Sequence, residues 1–376
     1  MHIFALNCGS SSLKSALIDS NTRRRLFEAR VDNLGAPGVD LQAAVARVLQ
    51  DLHKHGAPDA IAHRIVHGGE RFVQATRIDD TVLEEIEKLS HLAPLHNPPA
   101  LAAVRQAFCA YPQTPHFAIF DTAFHATLPR HAREYALPAD LRQRFGIRRY
   151  GFHGISHAHV VASVAGKLGA SADQLRVISC HLGNGASAAA IERGRSVDTS
   201  MGMTPLEGLV MGTRGGDLDP GVLLDLLQSG DLDGSQLDEV LNKKSGLAGL
   251  AGTNDVREIE QRAGAGDEDC HLALAIYAYR VRKYIGAYAA VMGGVDAIAF
   301  TGGVGENSAS IRAACLQRLE FLGASLDMQI NRKVHLDESN PCCEISQQGS
   351  RTRVLVVRAD EELAMALETA IATSSS

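Results

Sequence analysis

One short pattern occurs twice, far apart in the chain, and constrains the fold more than any other feature. Ile3-Phe4-Ala5-Leu6 runs into Asn7-Cys8-Gly9-Ser10-Ser11-Ser12-Leu13-Lys14, and a second apolar run, Ala16-Leu17-Ile18, follows closely. Val177-Ile178-Ser179-Cys180 likewise runs into His181-Leu182-Gly183-Asn184-Gly185 and then Ala186 to Ile191. Each reads as a β-hairpin with a small, polar tip. Such a tip frees backbone N–H groups and hydroxyls to face an anion, and Lys14 adds a positive charge. By itself the first copy suits an ordinary serine-rich hairpin equally well. It is not a Walker A loop, because the second glycine and the Lys-Ser/Thr pair are missing and strand follows Lys14. The second copy decides between them. With a third glycine turn after Ala297-Ile298-Ala299-Phe300, namely Thr301 to Asn307, it points to a duplicated fold closing on one nucleotide.

The chain has 376 residues, long enough for two domains with filled cores. A net charge of -6 argues against a general nucleic-acid binder, so an anionic ligand has to be met by local Arg and Lys. Seven cysteines, odd in number and without a C-x-x-C pair, argue against a disulfide framework or a zinc knuckle and suit a reducing, cytoplasmic setting. The first residues read as strand, so no signal peptide is expected. Tyr284 to Phe300, the most apolar long stretch, contains Gly293-Gly294 and Asp296 and reads as a core helix turning into a strand, so no membrane span is expected.

Several residues stand where chemistry is usually done. Ile61 to Glu70 reads as a strand entering a Gly-Gly turn, with Arg64 near the strand end; alternation there favours a strand, so His63 and His67 are not taken as metal ligands. His116 to Phe120 reads as a buried strand delivering Asp121 to its carboxyl end, where open α/β sheets meet ligands. Asn97 is expected to cap a helix opened by Pro98, and Ser156 to cap the next one, with His153 lining a cleft and His157 and His159 structural. Thr199 to Gly221, rich in Gly, Met and Pro and containing Arg214, is expected to be a functional loop ahead of a helix opened by Pro220. Asp255-Val256-Arg257 is expected in another loop, and Asn21 to Arg25 as a solvated charged turn.

Asn7 to Lys14, Asp121-Thr122-Ala123-Phe124-His125 and Met201-Gly202-Met203-Thr204-Pro205-Leu206-Glu207-Gly208 together resemble the acetate kinase family, part of the acetate and sugar kinase, Hsp70 and actin superfamily. The likeness runs nearly end to end. It implies an α/β chain of two duplicated ribonuclease-H-like domains with an ATP cleft between them: residues 1–125 plus 360–376, and residues 126–359. It further implies transfer of the ATP γ-phosphoryl group to acetate, with Mg²⁺ (or Mn²⁺) as cofactor and a homodimeric state.

The roles that follow from the resemblance are specific. Arg64 and Arg214 flank acetate and the migrating phosphoryl group, and His153 donates to a transition-state oxygen. Asp121 is expected to orient Arg64 or a Mg²⁺-bound water and not to act as a base, since acetate is already ionised at neutral pH. Val66, Leu95, Phe152 and Pro205 enclose the acetate methyl group. Ser10, Ser12 and Lys14 grip phosphate from one domain and His181, Leu182, Gly183, Asn184 and Gly185 from the other. Asp255, Val256 and Arg257, with Gly303, Val304, Gly305, Glu306 and Asn307, hold the adenosine. Asn7 and Glu361 are the Mg²⁺-associated positions, with Glu362 the alternative; Ala359-Asp360 precede them where the family more often has Thr-Asn. One methylene changes affinity by only about 1–3 kcal/mol in such a pocket, so propionate is expected as a slower substrate. Two other readings share the hairpins: an actin- or Hsp70-like ATP switch, which would not need Arg64, His153, Arg214 and an apolar pocket, and a polyphosphate phosphatase, which would call for a more basic cleft.

Overall fold

The computed structural model describes residues 1–9, 12–32, 34, 40–94 and 96–374. Its contacts divide the chain into two units: Met1–Ala126 with Phe152–His159 and Asp360–Ser376, and Thr127–Gly151 with Val160–Ala359. The chain thus revisits the first unit at Phe152–His159, a return that the boundaries expected from the sequence do not contain.

In the first unit, strands β1 (His2–Cys8), β2 (Ser12–Asp19), β3 (Arg25–Asp32), β4 (Ala60–Ile65), β5 (Thr76–Arg77) and β6 (His116–Phe120) form a sheet in the order β3-β2-β1-β4-β6-β5. The hairpin β1–β2 is antiparallel, and β4 and β6 continue from β1 in parallel. Alternation along the strands divides the core. Phe4, Leu6, Leu13 and Leu17 pack under Val45, Val48 and Leu49 of the helix Leu41–Leu52, and Ile3, Ala5, Ala16 and Ile18 pack under Met365 and Ala366 of the C-terminal helix Glu361–Ser374. The same parity puts Asn7 and Arg64 on the C-terminal-helix side.

The second unit repeats the plan. Strands β7 (Arg176–Leu182), β8 (Ala186–Glu192), β9 (Arg195–Thr199), β10 (Ala297–Thr301), β11 (Cys342–Glu344) and β12 (Arg353–Val357) lie in the order β9-β8-β7-β10-β12-β11. Again an antiparallel hairpin, β7–β8, is extended by two parallel neighbours, β10 and β12. The duplicated α/β fold expected from the paired hairpins is therefore present, strand for strand. In both units, the candidate residues gather where β1, β4 and β6, or β7 and β10, end at their carboxyl termini.

Some local expectations need correction. Asn97 is the first residue of the helix Asn97–Ala110 and not its cap: its buried amide accepts from His67 N and donates to His67 O, both at 3.1 Å. The helix carrying His157 begins at Gly154, two residues before Ser156, because Gly154 N donates to the Asp121 carbonyl at 2.9 Å. Asp255 caps the helix Val256–Gly264, so the trio Asp255–Arg257 belongs to a helix start, not a loop. Gly302–Asn307 is a short helix after β10. Arg25 is not solvated; its guanidinium is half-buried against Asp360.

His63 and His116 form a buried neutral pair. His63 Nε2 lies 2.9 Å from His116 Nδ1, and His116 Nε2 lies 3.2 Å from the Tyr111 carbonyl. The carbonyl must accept from His116 Nε2–H, which leaves His116 Nδ1 to accept from His63 Nε2–H. Burial pushes both imidazoles below their ordinary value, His63 furthest, and His116 adds to the effect on His63. The unfolded chain takes up these protons below about pH 6.5 while the folded chain does not, so stability falls with pH from there. The expected slope is about 1.4 kcal/mol per pH unit for each histidine until its folded value is passed. Urea midpoints at pH 7.5, 6.5 and 5.5 test this, and a midpoint that does not move over the range would refute it.

Candidate active site

In the first unit, the ends of β1, β4 and β6 and the start of the C-terminal helix converge on one polar network. Arg64 Nη2 donates to Asp121 Oδ2 at 2.5 Å, and its Nε lies 3.1 Å from the same oxygen and 3.2 Å from Oδ1. Arg64 Nη1 donates to Asn7 Oδ1 at 3.2 Å. The Asn7 amide in turn donates to Glu361 Oε2 at 2.8 Å and Glu362 Oε1 at 2.9 Å. Arg64 Nε also lies 3.9 Å from Glu361 Oε2. Burial opposes the Arg64 charge, but Asp121 and Glu361 outweigh it and hold the guanidinium above the ordinary arginine value. Burial pushes the Asp121 carboxyl up and Arg64 opposes it; two-nitrogen contact of this kind keeps the pair ionised at neutral pH. Glu362 is buried and raised by that burial and by Glu361, while Glu361 is the more exposed of the two.

Around the network lie other expected residues. His153 has a left-handed backbone, φ 56°, unusual for a residue with a side chain, and such strain concentrates at functional sites. It is held there by Gly154 N on the Asp121 carbonyl and by His157 N on its own carbonyl. Val66 and Phe152 are buried, Phe152 with its ring edge-on to His67 at 5.8 Å. The glycines following His67 have separate reasons: a Cβ at Gly68 would stand 2.6 Å from the Phe72 carbonyl, and Gly69 has φ +62°. Ser12 opens β2, its carbonyl accepting from Gly9 N at 2.8 Å, and Lys14 is exposed. Ser10 and Leu95 lie outside the described residues.

The second unit carries a cavity of about 650 Å³, a size that suits a nucleoside or nucleotide. Of the residues expected there, Gly183 and Asn184 line it from the hairpin tip, Asp255, Val256 and Arg257 from one helix start, and Gly303, Val304 and Asn307 from another. His181, Leu182, Gly185, Gly305 and Glu306 do not. Leu182 and Gly305 are buried beneath it, and the Glu306 carboxylate turns away to accept from Ala359 N at 2.9 Å. The short helix sits close on β7 because Gly302 has φ +78° and would place a Cβ 2.7 Å from the Leu182 carbonyl.

Asn254, Glu260 and Ser308 line the cavity without having been anticipated. Asn254 Nδ2 donates to Asn184 Oδ1 at 3.0 Å, and Ser308 Oγ donates to Glu260 at 2.6 Å. The only sequence signal for them is adjacency: Asn254 precedes the Asp255 cap and Ser308 follows the glycine run. Asp255 is lowered to about 2 by its hydrogen bonds from the Arg257 side chain and backbone.

Arg214 lies in the irregular stretch between β9 and the helix Pro220–Gln228. Its Nη1 donates to the Pro205 carbonyl at 3.3 Å and its Nε has no hydrogen-bond partner. Among the described residues no carboxylate pairs with it, and burial lowers its pKa. The stretch is pinned at both ends by residues that sequence reading missed. Arg149 donates to the carbonyls of Thr199, Ser200 and Met201 and reaches Glu207 at 2.5 Å, with Tyr135 also on Glu207. Arg280 and Tyr284 hold Gly208 and Asp217.

Residues 2–367 match the sequence model of the acetokinase family. An acetate kinase of Halothermothrix orenii is 45% identical over 398 residues, 98% of this chain and 99% of that protein. The crystal structure of Porphyromonas gingivalis acetate kinase superposes with a TM-score of 0.91 at 41% identity, over 98% of this chain and 99% of that one. A propionate kinase from Francisella tularensis gives 0.87 at 37% identity, over 98% of each chain. The repeated sheet agrees with this likeness, and the chain belongs to the acetokinase family.

Proposed function

We propose that this chain is an ATP:acetate phosphotransferase, reversibly passing the γ-phosphoryl group to acetate to give acetyl phosphate and ADP. An oxygen of acetate forms the new bond to γ-phosphorus while the bond to the β,γ-bridging oxygen breaks in line and ADP departs. Such a transfer asks the protein for positioning and for neutralisation of equatorial oxygen charge. The observation that carries the reading is the Arg64 network: a buried guanidinium, clamped by Asp121 and Asn7, at the carboxyl ends of three strands. The likeness to the family supports assigning Arg64, Arg214 and His153 to the migrating phosphoryl group. Val66, Leu95, Phe152 and Pro205 are assigned to the acetate methyl group, and the cavity of the second unit to the nucleotide. Ser10, Ser12 and Lys14, with His181 to Gly185, serve the phosphates.

Asn7 and Glu361 offer oxygen donors of the kind a hard cation takes, and Mg²⁺ would be held there largely through its waters. When bound, it neutralises phosphate charge. Asp121 has its acceptor sites turned to Arg64, which supports an orienting role. Asp121→Asn is expected to lower kcat or weaken Mg²⁺ dependence while leaving the acidic limb of the pH–rate profile in place. Loss of that limb would make Asp121 the base and end the orienting assignment.

The decisive assay traps product as the hydroxamate from ATP, acetate and hydroxylamine, with specificity constants for acetate, propionate and butyrate on one preparation. Acetate is expected first and propionate second. ATP hydrolysis indifferent to acetate would instead indicate a nucleotide switch. A homodimer in the cytoplasm completes the proposal. Seven free cysteines suit a reducing compartment, and Val222, Leu224 and Leu227 of the helix Pro220–Gln228 are exposed apolar residues. Light scattering should therefore return twice the 40.1 kDa of one chain. No helix among the described residues is long and apolar enough to cross a membrane.

A further inference from the structure

Arg25 has no part in the function proposed above, yet the fold departs from regularity to place it. Regular alternation would turn Arg25 to the same side as Phe27, Ala29 and Val31, which pack toward the helix Leu41–Leu52. The β2–β3 ladder instead slips between Leu17 and Ile18: Leu17 stands opposite Phe27, but Ile18 stands opposite Arg25. Ile18 belongs to the other apolar cluster, under Met365 and Ala366 of the C-terminal helix. The bulge therefore turns Arg25 over to that helix, a known use of such irregularities.

There its Nη2 lies 2.5 Å from Asp360 Oδ1 and 3.9 Å from Glu362 Oε2, and its Nη1 lies 3.9 Å from Glu28 at the surface. Asp360 Oδ1 also accepts from Leu363 N at 3.0 Å, so Arg25 grips the side chain that caps the helix. Three successive carboxylates, Asp360, Glu361 and Glu362, start this helix. Its dipole favours them there but does not cancel their mutual repulsion. Apart from the exposed Glu28, the network among the described residues holds four carboxylates, these three and Asp121, against two guanidiniums, Arg25 and Arg64, a net charge of −2 with all ionised. The exposed Lys14 is a further positive charge felt by Glu362. By shortest contact Arg64 pairs with Asp121 and lies 3.9 Å from Glu361, and Arg25 pairs with Asp360 and lies 3.9 Å from Glu362, whose charge both guanidiniums feel.

We infer that Arg25 is a positioning residue that neutralises Asp360 and Glu362 as structural groups, so that Glu361 alone of the helix start is presented to a divalent cation; the inference rests on the phosphotransferase reading. Loss of Arg25 leaves two acids without their counter-charge beside Glu361. The test is Mn²⁺ binding to the nucleotide-free full chain at pH 8, followed by the EPR signal of free Mn²⁺. R25Q should bind Mn²⁺ roughly 3–10-fold more tightly than wild type. It should also turn over more slowly, with KM for acetate within about twofold. R25K should restore both, and R25Q/D360N, which removes the orphaned charge with its partner, should return the Mn²⁺ affinity toward wild type. D360N alone, whose asparagine still caps the helix, should bind Mn²⁺ more weakly by a similar factor. A residue that merely braced the helix would weaken cation binding when lost and would not be rescued by D360N. Unchanged or weaker Mn²⁺ binding in folded R25Q, or unchanged binding in D360N should R25Q not fold, overturns the inference. Because binding is read without ATP or acetate, a wild type that made no acetyl phosphate would count against the proposed function and leave this result readable on its own.

Discussion

Arg64→Lys should lower kcat by about 10²–10³, the usual cost of one lost donor to a transition-state oxygen, with the chain still folded. Lysine keeps the charge but presents a compact ammonium in place of a planar fork. Arg64 reaches both Asp121 oxygens and Asn7 at once, and an ammonium cannot reproduce that arrangement. Arg64→Ala is a different experiment. It leaves Asp121, 1% exposed, as a buried charge without its partner, and removal of one member of a buried pair typically costs about 3–5 kcal/mol. Its thermal midpoint should fall sharply, and adding Asp121→Ala should recover much of the midpoint but none of the turnover. Steady-state rates and melting curves on the four proteins separate the two effects. Turnover of Arg64→Lys within tenfold of wild type would remove Arg64 from the chemistry.

Arg214→Gln should lose turnover by a comparable factor of about 10²–10³ while leaving the melting temperature unchanged or raised. The contrast with Arg64 comes from their surroundings. Arg214 is half-buried, but its contacts are a carbonyl and the Met211 sulfur, with Nε unpaired and no carboxylate partner among the described residues. Such a cation is costly to the free protein and favourable only once an anion arrives. Removing it abandons no partner in the fold. A stability loss in Arg214→Gln as large as in Arg64→Ala would show that its charge is spent on the fold and would withdraw it from phosphate binding.

Much of this arrangement was legible before any coordinates. The hairpin pattern around Gly9 and Gly183 announced a duplication, and the strand orders β3-β2-β1-β4-β6-β5 and β9-β8-β7-β10-β12-β11 carry it through in full. Asp121 was legible because a run of apolar residues ends on a carboxylate, a pattern that local burial alone imposes. Arg25 was misread for the opposite reason. Nothing in Asn21 to Arg25 signals a partner more than 300 residues away, and its turn toward Asp360 depends on a bulge that period-two alternation does not encode. Asp255 was misplaced into a loop because the cap-and-helix signal of Asp255 to Gly264 is short and highly polar, so periodicity gave it no weight.

By itself the sequence determined what local physics can dictate: which segments are strands, where small residues allow the backbone to turn, and which candidate side chains stand at strand ends. Only the tertiary structure decided which charges face one another. Among the described residues it gave Arg64 two acids and Arg214 none, tied Asn7 to the helix start at Glu361, and turned Glu306 away from the cavity its neighbours line. Pairing between distant segments depends on register, bulges and chain return, and these are set by the packed whole and not by any stretch of it.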